Sequence, residues 1–264
     1  MPGGGVTMGE RPADESIILM NVQSRARLFP ASPAIAANGD DLAAGTLTEQ
    51  VLQRLRDDIV AGNLAASAKL RVQELSRRYG VGASPLREAL SRLMADGLVV
   101  TESNRGFRVA PVSVADFLDI SENRRRLECL ALEQSVQAGD DAWEGRLVAD
   151  YHQLQKLEAT YQPNSKLNDP KWEWERRHRA FHWSLISACP SRWLLHLDHL
   201  LVGQVDRYRR YVTLDAKMTK RARQQEGALL NAALARDAEK AVRTLQTHID
   251  DSTALIVRQL RNLL

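Results

Sequence analysis

Residues 80–90 read Gly80-Val81-Gly82-Ala83-Ser84-Pro85-Leu86-Arg87-Glu88-Ala89-Leu90 and decide the fold of the N-terminal part of the chain. Gly80 can adopt the positive φ that ends a helix. Ser84 followed by Pro85 is typical of the N-cap and first position of the next helix. Two helices joined by a tight turn form a helix-turn-helix, so the stretch predicts this motif.

The sequence on both sides extends the motif to a winged helix-turn-helix over residues 46–112. Apolar residues at helical spacing predict three helices, over about 48–62, 72–79 and 84–95. After Gly97 the pattern alternates, and two short β-branched segments around a turn predict a hairpin, the wing. A domain of this kind docks its third helix in the major groove of DNA.

The side chains outside this core are the candidates for DNA contact. Arg87 lies one turn into the third helix, where its forked donors suit the paired acceptors of guanine. In the wing, Arg105 is expected to reach phosphate. The predicted DNA-binding residues are Arg71, Gln73, Ser84, Pro85, Arg87, Arg105 and Gly106. Residues 49–117 hold ten Lys/Arg against eight Asp/Glu, so the net charge of this domain does not by itself indicate DNA binding. Two alternatives to DNA binding stay open: a small helical cap with surface arginines, and a winged helix that contacts another protein.

Residues 113–264 are predicted to be almost entirely helical. Six long helices are expected, over about 113–137, 142–161, 172–188, 191–211, 218–235 and 237–263, with a loop over 163–170. Helices joined by short connections form an all-α bundle. The predicted fold is therefore mainly α, with a winged helix-turn-helix followed by a helical bundle. Residues 1–45, rich in Gly, Ala, Pro and Ser, are expected to be a disordered tail.

The composition limits the class of protein and the compartment that fit the chain. The chain has 264 residues, 44% hydrophobic and 26% charged, and a formal net charge of +3. These values describe a globular protein and permit a nucleic-acid partner. Two cysteines without a Cys-x-x-Cys pair fit a reducing compartment. No apolar run has the roughly 18–20 residues of a membrane span, so we expect a cytoplasmic protein without a membrane partner.

The N-terminal motifs resemble the GntR family of bacterial repressors. The resemblance lies in residues 70–76, 80–90 and 92–99 and in the wing pair Arg105-Gly106. The chain departs from the family at Gly82 and Ala83, where a Ser and an Arg are usual. That Arg commonly contacts DNA, so the operator sequence stays open. The resemblance implies a homodimer on a palindromic operator.

The C-terminal half resembles the FCD sensor domain of the FadR-like branch of that family. Arg124-x-x-Leu127-Glu128 matches its Arg-x-x-Leu-Glu signature, and Phe181-His182 matches its Phe-His motif. Residues 175–182 and 207–209 are similar to the carbon-starvation subgroup, which senses glutarate-like acids. The resemblance implies a small organic acid effector, bound by Arg124 and Tyr208. For Arg124, an ion pair with Glu128 is the alternative.

Three histidines are candidate metal ligands. His178 and His182 lie at i and i+4, hence on one helix face, and His248 on the last helix could join them. Zn, Ni, Fe or Mn would suit such a site, although His pairs on helices are often incidental. The family usually has Asp at the position of His178 and a further His at that of Gly227. The predicted ligands are therefore His178, His182 and His248, and one ligand that the family usually has is missing. Glu226, next to Gly227, is expected to point away from this site.

These features predict a transcription regulator, a repressor controlled by a carboxylate effector, and no enzyme. A metallohydrolase fused to a DNA-binding domain is the first alternative, but no His-Glu-x-x-His run, nucleophile elbow or Gly-rich phosphate loop occurs. A sensor whose signal is the metal itself is the second. Residues 194–202 carry more apolar side chains than one helix stripe, which predicts a dimer through the helical domain.

Overall fold

The computed structural model describes residues 46–102, 106–160, 170–210 and 216–263. Within these ranges it contains nine helices and three short strands. The tail predicted over 1–45, residues 163–169 of the loop predicted over 163–170, and Arg105 lie outside the described residues, while Pro170 is the first residue of a helix. In the described ranges, no helix is long and apolar enough to cross a membrane.

The N-terminal part is a winged helix-turn-helix, as predicted. Its elements are α1 (Leu47–Ala61), β1 (Lys69–Leu70), α2 (Val72–Tyr79), α3 (Ala83–Ala95), β2 (Val99–Glu102) and β3 (Gly106–Val109). The strands form an antiparallel sheet in the order β1-β3-β2, with Leu70 opposite Phe107 and Val99 opposite Val109. The sequence does not predict β1, because two residues are too few to show an alternating pattern.

The start of α3 differs from the prediction. Gly80 ends α2 with φ 67°, as expected, but α3 begins at Ala83 with Gly82 as its N-cap and without a side-chain cap bond. Ser84 is therefore not the cap, and Pro85 is the third helical residue. Proline is tolerated there because the N–H groups of a first turn have no partner within the helix.

The C-terminal part is a bundle of six helices. They are α4 (Val114–Ala138), α5 (Asp141–Thr160), α6 (Pro170–Ile186), α7 (Arg192–Arg209), α8 (Ala216–Leu234) and α9 (Ala238–Arg261). Helix α4 packs against α6, α7 and α9, and α5 packs against α6. Trp143, Phe181 and Leu245 are fully buried in this core. Leu130 is 45% exposed, because it lies about 100° around α4 from the buried Ala131.

Helix α7 also contacts the N-terminal elements. Gln204 donates to the backbone carbonyl of Asp96, at the end of α3. Arg207 donates to the carbonyls of Ala110 and Pro111, at 2.9 Å and 2.7 Å, in the segment that joins β3 to α4. We call these contacts the α7 seam. They place one helix of the bundle directly against the DNA-binding fold.

Candidate functional site

Three helices of the bundle bring four ligand side chains together. Helix α6 presents His178 and His182 one turn apart, α8 presents Glu226 and α9 presents His248. Each offers one ligand atom, and these atoms lie within 4.8 Å of one another. All four side chains are buried. The predicted histidine set is thus brought together, and Glu226 is added to it.

Hydrogen bonds from neighbouring helices orient two of the rings. His182 Nδ1 lies 3.3 Å from Glu128 Oε1, and His248 Nδ1 lies 3.1 Å from Gln225 Oε1. Carboxylate and amide oxygens only accept hydrogen bonds, so Nδ1 carries the proton in each pair. Each Nε2 then keeps the lone pair that a metal requires.

The buried polar atoms of the cluster fit a divalent ion. His182 Nε2 and both carboxylate oxygens of Glu226 are buried without a hydrogen-bond partner. Unsatisfied buried polar atoms are rare in native proteins unless a ligand or an ion meets them. Three imidazoles and one carboxylate are ligands that Zn and neighbouring transition metals accept. The donor set is therefore suited to such an ion.

Burial sets the protonation of the cluster. It lowers the pKa of His178 well below its usual value, with Arg209 adding to the effect, and it lowers the pKa of His182 and His248 as well. The histidines are therefore neutral, which is their ligating form. Burial, with Glu158 nearby, raises the pKa of Glu226 to about 8. A cation beside Glu226 would favour its ionised form.

Two expectations about α8 were wrong. Glu226 was expected to point away, but it is fully buried and lies 3.4 Å from His178 Nε2. Glu226, Leu229 and Ala233 are buried at i, i+3 and i+7, so the sequence held a signal for its orientation. Gly227 does not leave the candidate set at three side chains, because Glu226 offers a fourth ligand atom. A Cβ at Gly227 would come within 2.9 Å of the Tyr151 hydroxyl oxygen.

A cavity of ≈ 30 Å³ lies beside the cluster and is lined by His178, His182 and Arg124. The Arg124 guanidinium lies 2.7 Å from the Glu128 carboxylate, and both side chains are buried. Arg124 therefore forms the ion pair with Glu128 that was the alternative, and it also lines the cavity, while effector binding by Arg124 stays a prediction. Although burial favours the neutral acid, Arg124 lowers the pKa of Glu128 to about 2, so this carboxylate is ionised.

The structure does not bring Tyr208 to this cavity. Its hydroxyl donates to the Asp116 carboxylate, and its ring packs against Phe117 with centroids 4.8 Å apart. The next residue, Arg209, lines the cavity instead. Adjacent residues on a helix point about 100° apart, and this offset explains the difference. The sequence resemblance identified the right turn of α7 but the wrong side chain.

The predicted DNA-contacting side chains lie on the outside of the N-terminal fold. Arg87 and Ser84 are exposed on α3, opposite its buried stripe, and Gln73 is exposed on α2. Pro85 is half-buried. Arg71 is exposed and pairs with Glu74 at 2.8 Å. Gly106 opens β3 with φ 99°, a conformation that favours glycine.

Fold and sites together define a winged-helix DNA-binding protein with a helical sensor domain. The chain belongs to the GntR family of bacterial regulatory proteins, whose family model matches residues 47–109. The FCD domain model matches residues 119–251. Both resemblances drawn from the sequence motifs are confirmed.

Relatives of known name support this assignment. The HTH-type transcriptional regulator BphR of Paraburkholderia xenovorans is 41% identical, over 87% of this chain and 90% of its own. The HTH-type transcriptional repressor GlaR of Escherichia coli is 37% identical, over 74% of this chain and 89% of its own. The solved structure of E. coli McbR/YncC has the same fold, with a TM-score of 0.68 at 22% identity over 81% of this chain and 99% of its own. These families and relatives are regulators, so the prediction that the chain is not an enzyme is confirmed.

Proposed function

We propose that the chain is a repressor that binds a palindromic operator as a homodimer and releases it when a small carboxylate binds in the helical domain. Its DNA-binding domain would span 46–112, and its effector-binding and dimerisation domain 113–264, in the cytoplasm. The observation that carries the proposal is the buried His/Glu cluster, which opens on a cavity that shares α7 with the DNA-binding fold.

The cluster would hold one divalent metal ion through His178, His182, Glu226 and His248. Bound there, the ion would act as a Lewis acid that attracts an anionic ligand. Three neutral imidazoles and one carboxylate leave such a site with a net charge of +1. Glu128 and Gln225 would act through the rings they orient. Arg124 would add a forked donor for the effector carboxylate.

Helix α7 would carry the signal to the DNA-binding domain. Asp198, Asp206 and Arg209 of α7 line the cavity, while Gln204 and Arg207 of the same helix form the α7 seam. A cavity of ≈ 30 Å³ holds one or two water molecules, and an organic acid is larger. Binding therefore requires the cavity walls to separate, and α7 is one of those walls. An effector releases DNA only if it favours the arrangement that misplaces the recognition helices.

Operator-binding titrations separate this function from the two alternatives. An operator selected from random duplexes would be labelled, and its Kd measured by fluorescence anisotropy with Zn, with a carboxylate, with both, or with a chelator. We expect release by the carboxylate on the metal-loaded protein and none by Zn alone. Release by Zn alone would identify a metal sensor. Turnover of the carboxylate, followed by mass spectrometry, would identify an enzyme.

A further inference from the structure

The charges around the cavity are paired, with one exception. Three arginines line it, and each forms an ion pair with a carboxylate that also lines it, at 2.7, 3.2 and 2.8 Å: Arg124 with Glu128, Arg179 with Asp206, and Arg209 with Glu175. A fourth carboxyl group, Asp198 of α7, also lines the cavity. Asp198 forms no ion pair within 4.0 Å with any described residue.

Asp198 is buried, and its Oδ1 atom lacks a hydrogen-bond partner. The residue is only 2% exposed, and the Oδ1 atom itself is buried. Burial raises its pKa well above the usual value, and the nearby Glu128 carboxylate adds to the effect, while Arg124 opposes it. Leaving a buried polar atom unsatisfied costs free energy, so a ligand group that meets it gains affinity. Asp198 is therefore a position in the cavity wall where a ligand could make a hydrogen bond that the protein does not.

We infer that Asp198 recognises a hydroxyl group on the effector, which makes the effector a small hydroxycarboxylate. This inference rests on the proposed function, in which the carboxylate end lies at the cluster and Arg124. The hydroxyl would lie on the same molecule, toward α7.

The chemistry of a hydroxyl suits this position better than the other common substituents of organic acids. A hydroxyl both donates and accepts, so it satisfies Asp198 whether that group is ionised or neutral. An ammonium only donates, and so requires Asp198 to ionise in a buried site beside Glu128. A second carboxylate only accepts, so it would be satisfied only by a neutral Asp198 and would also lie beside the ionised Glu128. A methylene would leave Oδ1 unsatisfied.

Matched acids test the inference on the full-length, metal-loaded protein. Isothermal titration calorimetry would compare succinate, malate and aspartate, which share four carbons, and then glutarate, 2-hydroxyglutarate and glutamate. In one of the two series, we expect the hydroxy acid to bind about tenfold more tightly than the unsubstituted acid. Asp198→Ala should remove this difference, whereas Asp198→Asn, whose amide also donates and accepts, should keep it. Glu133→Ala, which removes an exposed carboxylate of α4, is the matched control and should keep it too.

The other outcomes overturn the inference in distinguishable ways. Equal affinity for substituted and unsubstituted acids, or a preference that survives Asp198→Ala, would refute it and leave the proposed function standing. Tightest binding by the amino acids would mean that Asp198 pairs with an ammonium, so the hydroxyl assignment would be wrong. If none of the six acids binds at millimolar concentration, the carboxylate effector fails, and the inference fails with it.

Discussion

The chemistry of the sensor domain depends on a few side chains whose roles are set by burial. His182 contacts Glu128 through Nδ1, and its Nε2 is buried without a partner. A solvated histidine would have no such fixed orientation. Because the ring is neutral and oriented, it can serve as a ligand without first losing a proton. A neighbouring side chain therefore holds the His182 ring in an orientation that suits a ligand.

The first prediction concerns this ligand set. His182→Ala should abolish retention of one Zn or Ni per chain after dialysis, because it removes a ligand at the centre of the cluster. Glu128→Gln should weaken metal affinity by about 10–100-fold, the usual cost of losing a partner that orients a ligand. Elemental analysis and competition with a chromogenic chelator measure both. His152→Ala, on an exposed position of α5, is the control and should retain the ion. If His182→Ala retains it as well as the wild type, the cluster is not the metal site.

At the residue scale, the sequence predicted the histidines and missed the groups that complete the site. The spacing of His178 and His182 and the matched motifs were enough to select the three rings. The environment of Asp198 depends on α4 and α7, which are distant in sequence, so no local pattern predicts its isolation. Glu226 was within reach of prediction, since it shares a helical stripe with Leu229.

Helices and strands followed the sequence closely wherever a capping residue marked an end. The Thr46 side chain accepts from the Glu49 N–H in a capping box at the start of α1, and Ser113 and Asp237 cap α4 and α9 in a similar way. These residues satisfy backbone N–H groups that have no partner within the helix. Glycine at position 82 leaves α3 without a side-chain cap, and there the predicted start was wrong. Side-chain capping therefore accounts for the starts of α1, α4 and α9, whereas α2 begins where predicted without a side-chain cap.

The second prediction concerns α3. Arg87→Ala should weaken operator binding by roughly 1–3 kcal/mol and relax the choice of base at one position, because its exposed guanidinium is expected to contact guanine. Anisotropy with the selected operator and with single-base variants measures both effects. Arg243→Ala, which removes an exposed arginine of α9, is the control and should change neither. Unaltered operator binding by Arg87→Ala would contradict the assignment of α3 as the recognition helix.

For the whole molecule, α7 brings three functions to one helix. One side lines the cavity, a second forms the α7 seam, and a third leaves Trp193 60% exposed and Leu197 45% exposed, one turn apart. The apolar excess predicted over 194–202 is partly used within the chain, since Leu194 is buried. Leu197 of that range stays exposed next to Trp193, and a second copy of the chain is the partner expected for these two side chains.

The third prediction concerns this association. Leu197→Glu should weaken the dimer, because it introduces a charge into an apolar contact and burying an unpaired charge is costly. Light scattering on the full-length chain at micromolar concentration should report twice the chain mass for the wild type and a lower mass for the variant. Val148→Glu, at a position on α5 that is similarly exposed (44%), is the control and should stay dimeric. A monomeric wild type would refute the prediction.

We expect a ligand in the helical domain to control the DNA affinity of the N-terminal domain through α7. The most direct test measures operator Kd with and without saturating acid, for the wild type and for Arg207→Ala, which breaks the α7 seam. Allosteric coupling is typically about 1–3 kcal/mol, so the acid should weaken operator binding about 5–150-fold in the wild type. Arg207→Ala should bind the acid with similar affinity by calorimetry, yet lose most of this response. Release of DNA from Arg207→Ala as complete as from the wild type would contradict the account.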